Sequence, residues 1–418
     1  MSENATMEAD GLNISEIQRL SIPELKELAT SIGIENLKST KKYKLIKLII
    51  QESPTHSIIE GTLKSCERRY GILRSSYRST NIDVKVPGSQ IKKYGLKKGN
   101  TVKGVVISSA RELELSEVLR INGEKPESLK RLTDFSELVP IYPTERFFLD
   151  GSLEMRMMDL ITPVGKGQRG LIVAPPRSGK TMLLQQLANS LIASNPEISL
   201  IILLIDERPE EVTDMARNVA AEVIASTFDR PAKEHVQLAE LVINKAKRMV
   251  EYGKDVVILL DSITRLGRAY NTETPHSGKI LTGGVDAQAL RGPKHFFGAA
   301  RNIEGEGSLT ILATALIDTN SAMDKVIFEE FKGTGNMELH LDRALADRRV
   351  WPAVDICRSG TRKEELLCDP EEIKRTWYLR KMFSNMNNLE AVEYFRKQLQ
   401  QYKTNAEFLM SLSINQKR

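Results

Sequence analysis

Gly179-Lys-Thr181 closes a stretch whose residue types suit the holding of phosphate groups: Gly165-Lys-Gly-Gln-Arg-Gly-Leu-Ile-Val-Ala-Pro-Pro-Arg-Ser-Gly-Lys-Thr181. The amides of such a loop and the positive end of a following helix would bind phosphate oxygens. Lys180 would neutralise the terminal phosphates, and the Thr181 hydroxyl would ligate Mg2+. The generic pattern's first glycine is replaced by Ala174. Hydrolysis further needs a carboxylate for the metal, a base for water and an arginine for the charge that spreads in the transition state. Asp261, after the apolar run Val256-Val-Ile-Leu-Leu260, is the metal carboxylate candidate, and Glu207, after Leu200-Ile-Ile-Leu-Leu-Ile205, is the base. An ion pair between Glu207 and Arg208, or another arginine of this sheet edge, is the structural alternative. For the arginine, Arg343, Arg348, Arg349, Arg358 and Arg362 all compete. If a neighbouring subunit supplies it, the active form is a ring or a filament.

These residues need a scaffold that brings strand ends together. Leu171, Ile172 and Val173 read as a buried strand, and Met182-Leu-Leu-Gln-Gln-Leu-Ala188 has helical spacing. Later apolar runs ending at Asp206, Asp261 and Asp318 alternate with helical segments, which predicts a mostly parallel, helix-covered α/β sheet. Ligands of such sheets bind at the carboxyl ends of the strands, where these acids fall.

With 418 residues, two or three domains are expected. A content of 41% hydrophobic and 28% charged residues fits a soluble protein, and the longest apolar run is far too short for a bilayer. Residues 1–10 are polar and acidic with no cationic leader, and Cys66, Cys357 and Cys368 lack metal-type spacing. A reducing, cytoplasmic setting without a membrane partner is therefore expected. The five histidines are scattered, and none is assigned to a metal.

Net charge is +5, yet residues 61–111 alone carry twelve basic side chains against Glu67 and Asp83, a local +10. That surplus suggests a polyanion partner, with a merely solvated basic face as the alternative. Residues 1–53 read as a small helical subdomain: Ser21-Ile-Pro-Glu24 is a capping box, and a second helix starts near Ser39 or Thr40. Residues 56–121 read as short strands around 58–63, 70–73, 82–86 and 102–107, with turns at Pro87-Gly88 and Lys98-Gly99. This pattern fits an oligonucleotide-binding barrel. Tyr70 offers one ring on which a base could stack. Residues 122–150 form a connector, and 151–418 the α/β body.

Taken together, these segments resemble the bacterial transcription termination factor Rho family. The resemblance covers most of the chain. It is most specific in residues 165–181, in Ile205-Asp-Glu-Arg-Pro-Glu-Glu-Val212 and in Leu260-Asp-Ser-Ile-Thr-Arg-Leu266, and continues through 279–286, 331–339 and 358–366. It implies a RecA-like P-loop ATPase core preceded by the helical unit and an OB/cold-shock-like β-barrel. The implied activity is that of a homohexameric, RNA-dependent ATPase and 5′ to 3′ helicase, acting on nascent single-stranded RNA and releasing transcripts from RNA polymerase and its elongation factors.

By the same resemblance, ATP contacts come from Gly165, Lys166, Gly167, Gln168, Arg169, Gly170, Arg177, Ser178, Gly179, Lys180, Thr181, Met182 and Arg208. Trp351 stacks on adenine. Lys180, Thr181 and Asp261 handle ATP and Mg2+, Glu207 activates water, and Arg362, with Arg349, forms the finger offered to the adjacent subunit. RNA contacts fall on Arg69, Tyr70, Gly71, Ile72, Leu73, Arg74, Asp83, Val84 and Lys85 in the barrel. In a central-channel loop they fall on Lys279, Ile280, Leu281, Thr282, Gly283 and Gly284. The chain departs from the family in the barrel, where Ile72, Lys85 and Glu112 replace common aromatics, and at Ala322, often lysine. A rotary ATP-synthase-like subunit shares the fold but would not carry a basic strand-rich module ahead of the motor. An RNA-binding protein using ATP only as a switch differs in lacking RNA-stimulated turnover.

Overall fold

Ser21 opens the first long helix with a reciprocal cap. Its hydroxyl accepts from the Glu24 amide at 3.4 Å, and the Glu24 carboxylate accepts from the Ser21 amide at 2.6 Å. In this computed structural model, residues 12–34, 41–53, 57–67, 69–75, 77, 82–108, 112–128, 132–275, 278 and 280–412 are described. The helix so capped is α1 (Ile22–Ser31), followed by α2 (Lys42–Glu52). The expected start of α2 at Ser39 or Thr40 lies outside the described residues. Leu25, Ala29, Leu45, Ile46 and Ile49 turn inward from these helices and join one apolar cluster with Ile59, Leu63, Leu73, Val84, Val102 and Leu115 of the strands that follow.

Those strands are β1 (Ser57–Cys66), β2 (Tyr70–Arg74), β3 (Asp83–Pro87), β4 (Thr101–Ser108) and β5 (Leu113–Ile121). They pair in the order β1-β2-β3-β5-β4, and β4 returns to β1 to close a five-stranded barrel. Two features depart from the sequence expectation. Pro87-Gly88 starts a helix, α3 (Gly88–Tyr94), instead of a tight turn. The strand β5 was not expected, because two register shifts against β4 break its alternation: Leu113 and Leu115 face in, then Val118 and Ile121.

Chain contacts define two compact units, one running up to Phe135 and including Glu240–Tyr252, the other formed by Ser136–Ala239 and Gly253–Arg418. Within the first unit Glu240 accepts from Lys98 Nζ at 3.1 Å, and Glu251 accepts from the Phe135 amide at 2.7 Å.

The second unit is built on a nine-stranded sheet. Its strands are β6 (Arg169–Ala174), β7 (Ser199–Glu207), β8 (Glu222–Thr227), β9 (Asp255–Asp261), β10 (Ser308–Leu316), β11 (Met337–His340) and β12 (Gly360–Thr361), with short edge pieces at Arg301–Ile303 and Pro140–Ile141. The order is β8-β7-β9-β10-β6-β11-β12, parallel up to β11 and antiparallel at β12. Leu203, Ile205, Leu259, Leu260, Leu171 and Ile172 are all fully buried, as strands covered on both faces must be. No helix among the described residues is long and apolar enough to cross a membrane.

Candidate nucleotide site and nucleic-acid faces

The loop after β6 leads into α4 (Lys180–Ser194) through Gly179, whose φ is +82°. Only glycine suits this point on two counts: the left-handed conformation, and the Trp351 indole, into which any side chain there would run. Ser178 is buried and donates to the Pro175 carbonyl at 2.7 Å, which ties the loop to itself. Lys180 Nζ lies 2.6 Å from Asp261 Oδ1 and 3.9 Å from Glu207 Oε2. Thr314, from the middle of the sheet, also donates to Asp261 Oδ1, at 2.7 Å. The Thr181 hydroxyl donates to Glu211 at 3.3 Å.

Glu207 is placed by an irregularity. The register of β7 against β8 shifts between Ile205 and Glu207, with Asp206 at φ +57° between them. Such bulges re-aim the side chain that follows. The Glu207 carboxylate is buried, and Arg265, from α5 (Ile263–Glu273), donates to it and to the Asp206 carbonyl. Burial pushes the carboxyl up to about 7. Lys180 and Arg265 pull it down, while Asp261 and Glu211 push it up. His235 bonds Ser226 at 2.8 Å, and burial lowers its pKa against the pull of Asp206.

The helix α5 carries a second polar stripe. Arg268 makes a two-pronged contact with the buried Asp324 at 2.7 and 2.6 Å. Asn271 donates to the Gly284 carbonyl at 3.2 Å and accepts from the Asp286 amide at 2.8 Å. That loop exposes Ile280 and Leu281. Its Gly283, at φ +78°, rests on the backbone of Ala322, so that a Cβ would lie 2.7 Å from the Ala322 carbonyl carbon. A cavity of about 500 Å³ opens here between Arg268, Asn271, Thr272, Gly283 and Ser321.

On the barrel, Tyr70, Ile72, Arg74, Asp83 and Lys85 alternate outward from β2 and β3. Arg74 grips Asp83 at 2.8 and 2.8 Å, and Lys85 meets Glu112 at 3.3 Å.

Comparison with known proteins agrees with both parts. Residues 154–361 match the ATP synthase alpha/beta family, nucleotide-binding domain, and residues 59–127 match the Rho termination factor, RNA-binding domain. A transcription termination factor Rho from Pseudomonas aeruginosa is 51% identical over 416 residues, covering 96% of this chain and 99% of its own length. The Rho of Salmonella typhimurium is 50% identical over 412 residues, covering 95% and 98%. The chain belongs to the transcription termination factor Rho family. Among solved structures, an ATPase from the type III secretion system of pathogenic bacteria superposes with a TM-score of 0.57 at 23% identity, over 73% of this chain and 93% of that one, a likeness of fold alone.

Set beside the contacts implied by the Rho resemblance, the geometry divides them. Lys180, Thr181, Asp261 and Glu207 converge, with Gly179, Ser178, exposed Arg177 and Met182 on the loop and first turn. Exposed Arg208 follows Glu207, and Trp351 packs on the loop. Gly165, Lys166, Gly167, Gln168, Arg169 and Gly170 instead lie at the other end of β6, roughly 16 Å of strand away. Their side chains are engaged there. Lys166 pairs with Glu145 and Asp255 at 2.7 and 2.8 Å, Gln168 with Asn336 at 2.7 Å, and Arg169 with the Thr334 and Ala300 carbonyls at 3.1 and 3.0 Å. These six therefore lie away from the phosphate loop of their own chain.

Arg362 shares that far end. Thr361 pairs with Met337, which pairs with Gly170, and Arg362 donates its amide to Asn336. Arg349 is exposed on the loop side, between α6 (Arg343–Asp347) and Trp351, so the two arginines are not neighbours. In the barrel, the Leu73 and Val84 side chains are fully buried and serve the core, and Gly71 also lies on the inward side. Arg69 is exposed, and Lys279 lies outside the described residues.

Arg265, Thr314 and Arg268 escaped the sequence reading. A signal existed for each. Thr314 is a hydroxyl inside an apolar strand, and the arginines fall one and two turns after Asp261 on the helix it launches.

Proposed function

We propose that this Rho-family chain is an RNA-activated, ATP-driven 5′ to 3′ translocase that works as a homohexamer in the cytoplasm and releases nascent transcripts from RNA polymerase and its elongation factors. The observation carrying the reading is the convergence of Lys180, Asp261 and Glu207 at the ends of three parallel strands, in a chain that also has a separate RNA-binding barrel.

Lys180 would leave Asp261 for the ATP phosphates, where its charge is needed more. The donors nearby are a hydroxyl and carboxylates, and no cluster of three or more His, Cys, Asp or Glu among the described residues is placed to enclose a metal. That suits Mg2+, which keeps waters and binds through one or two carboxylates and the nucleotide's own phosphates. Thr181 and Asp261 would hold it, and when bound it would neutralise phosphate charge. Glu207 would take the proton of the attacking water, held in aim by Arg265. Trp351, half-buried beside Gly179, offers its ring to adenine.

Arg362 supports the ring. It follows Thr361 at the level of Gly170, at the end of the strand opposite its own phosphate loop, so its role as a finger requires a neighbour's nucleotide. Residues 165–170 stand at the same edge and would join it in that seam.

The test is ATPase rate against homopolymeric RNAs and DNA at two salt concentrations, with mass measured in solution. Single-stranded RNA should stimulate turnover and the mass should be that of a hexamer. A monomer whose turnover ignores RNA would overturn the reading.

A further inference from the structure

Three side chains of the barrel surround one spot on its outer face. Ile72 stands directly opposite Lys85 across β2 and β3, and Lys85 is in register with Glu114 of β5. Lys85 Nζ lies 3.3 Å from Glu112 Oε2 and 5.6 Å from the centre of the Tyr70 ring. Arg74 and Asp83, one step along, are committed to each other through two bonds of 2.8 Å.

Among the described side chains at this spot, Arg74 and Lys85 stand against Asp83, Glu112 and Glu114, which leaves them no surplus positive charge. The cations that draw phosphate are carried elsewhere on the barrel, for example by Lys92 and Lys93 on α3 and Lys103 on β4. A near-neutral face with one exposed ring and an adjacent donor and acceptor is suited to reading a base, not a backbone.

We propose that Tyr70, Lys85 and Glu112 form a guanine-reading subsite. The base stacks on Tyr70, Glu112 accepts from N1–H and the 2-amino group, and Lys85 donates to O6. The choice follows from the edges of the four bases. Guanine alone presents two adjacent donors, one for each carboxylate oxygen, beside an acceptor for the ammonium. Cytosine and adenine offer the carboxylate one donor and turn a ring lone pair on its second oxygen; uracil turns a carbonyl on it. The Lys85–Glu112 pair is no obstacle, because its side chains are 41% and 63% exposed and so open to an entering base at little cost. The ammonium already rests over the ring and only swings to O6.

The inference rests on the RNA-binding reading of the barrel, and the experiment separates the two. Nucleotide-free full-length protein is titrated with fluorescent oligouridylates carrying one central guanosine, inosine, cytidine or uridine. Guanosine should bind about tenfold tighter than cytidine, and inosine, lacking the 2-amino group, should lose most of that margin. Glu112→Gln should collapse the guanosine-to-cytidine ratio, and Lys85→Ala should reduce it. Equal binding of guanosine and cytidine, or an unchanged ratio in Glu112→Gln, would overturn the guanine subsite and leave RNA binding standing. Failure of every oligomer to bind would overturn both.

Discussion

Lys180 Nζ rests 2.6 Å from Asp261 Oδ1, and the same oxygen takes a 2.7 Å bond from Thr314. The lysine that would meet phosphate is thereby aimed from below by a buried strand-end acid. Lys180→Ala removes the attraction for phosphate and leaves Asp261 facing the incoming anion unshielded. Affinity for a fluorescent ATP analogue should fall by more than about tenfold, given the worth of a charge-assisted bond. Retained affinity would show that the loop amides alone hold the nucleotide.

Glu207 gives a pH test. Its carboxyl is pushed up to about 7 by burial, so the acid form predominates below that point and cannot accept a proton. RNA-stimulated kcat/KM should therefore fall as pH drops through about 7, and rise to a plateau above it. Glu207→Gln should keep nucleotide binding, lose about 10²–10⁴-fold in turnover and lose this acid limb. An acid limb that persists in the variant would assign it to another group.

Gly179 should tolerate no side chain. Alanine there would adopt a left-handed conformation costing roughly 1–2 kcal/mol and would push on the Trp351 ring. Gly179→Ala is expected to weaken ATP binding and shift indole emission together. A variant with normal affinity and emission would show that the loop relaxes around the methyl group.

Much of this site was legible in the sequence, because strand ends followed by acids need only one-dimensional pattern. Glu207 and Asp261 each end a run of apolar residues, and a parallel sheet must bring such ends to one edge. The placement of residues 165–170 was not legible: proximity to Lys180 along the chain hides the fact that an intervening strand carries them to the opposite edge. Arg362 was assignable only by resemblance, since its position depends on the antiparallel pairing of β12. In the barrel, β5 was hidden by bulges that break period-two alternation. Leu73 and Val84 passed as nucleic-acid contacts because a motif does not say which face of a strand looks out.

A buried ion pair holds the start of the second unit. Arg146 bonds Asp159 at 2.8 Å and Glu372 at 2.6 Å, with Asp159 and the guanidinium almost wholly enclosed. Burial pushes Asp159 up to about 6 even so, from a usual value of 3.8. Arg146→Met would strand the acids and should cost about 3–5 kcal/mol, read as a lowered Tm. A raised folded-state pKa means that folding takes up a proton as pH falls through about 6, so the deficit should shrink in acid. Adding Asp159→Asn should recover part of it at neutral pH. A deficit that ignores both pH and the second change would point to lost packing.

The sharpest consequence concerns the ring. Because β12 runs antiparallel at the sheet edge, Arg362 leaves the edge at the level of Gly170, while the phosphate loop lies beyond Ala174 at the other end of β6. No side-chain rotation spans that strand, so a chain lacking Arg362 keeps its own nucleotide pocket whole and damages the one next door. Arg362→Ala protein should accordingly bind ATP with normal affinity yet hydrolyse it poorly. Mixed with wild-type subunits, it should depress activity more steeply than its share of the mixture. Lys180→Ala protein provides the contrast, since it fails in its own pocket and loses binding. Activity that falls in strict proportion to the fraction of Arg362→Ala subunits would place the arginine outside the hydrolytic seam.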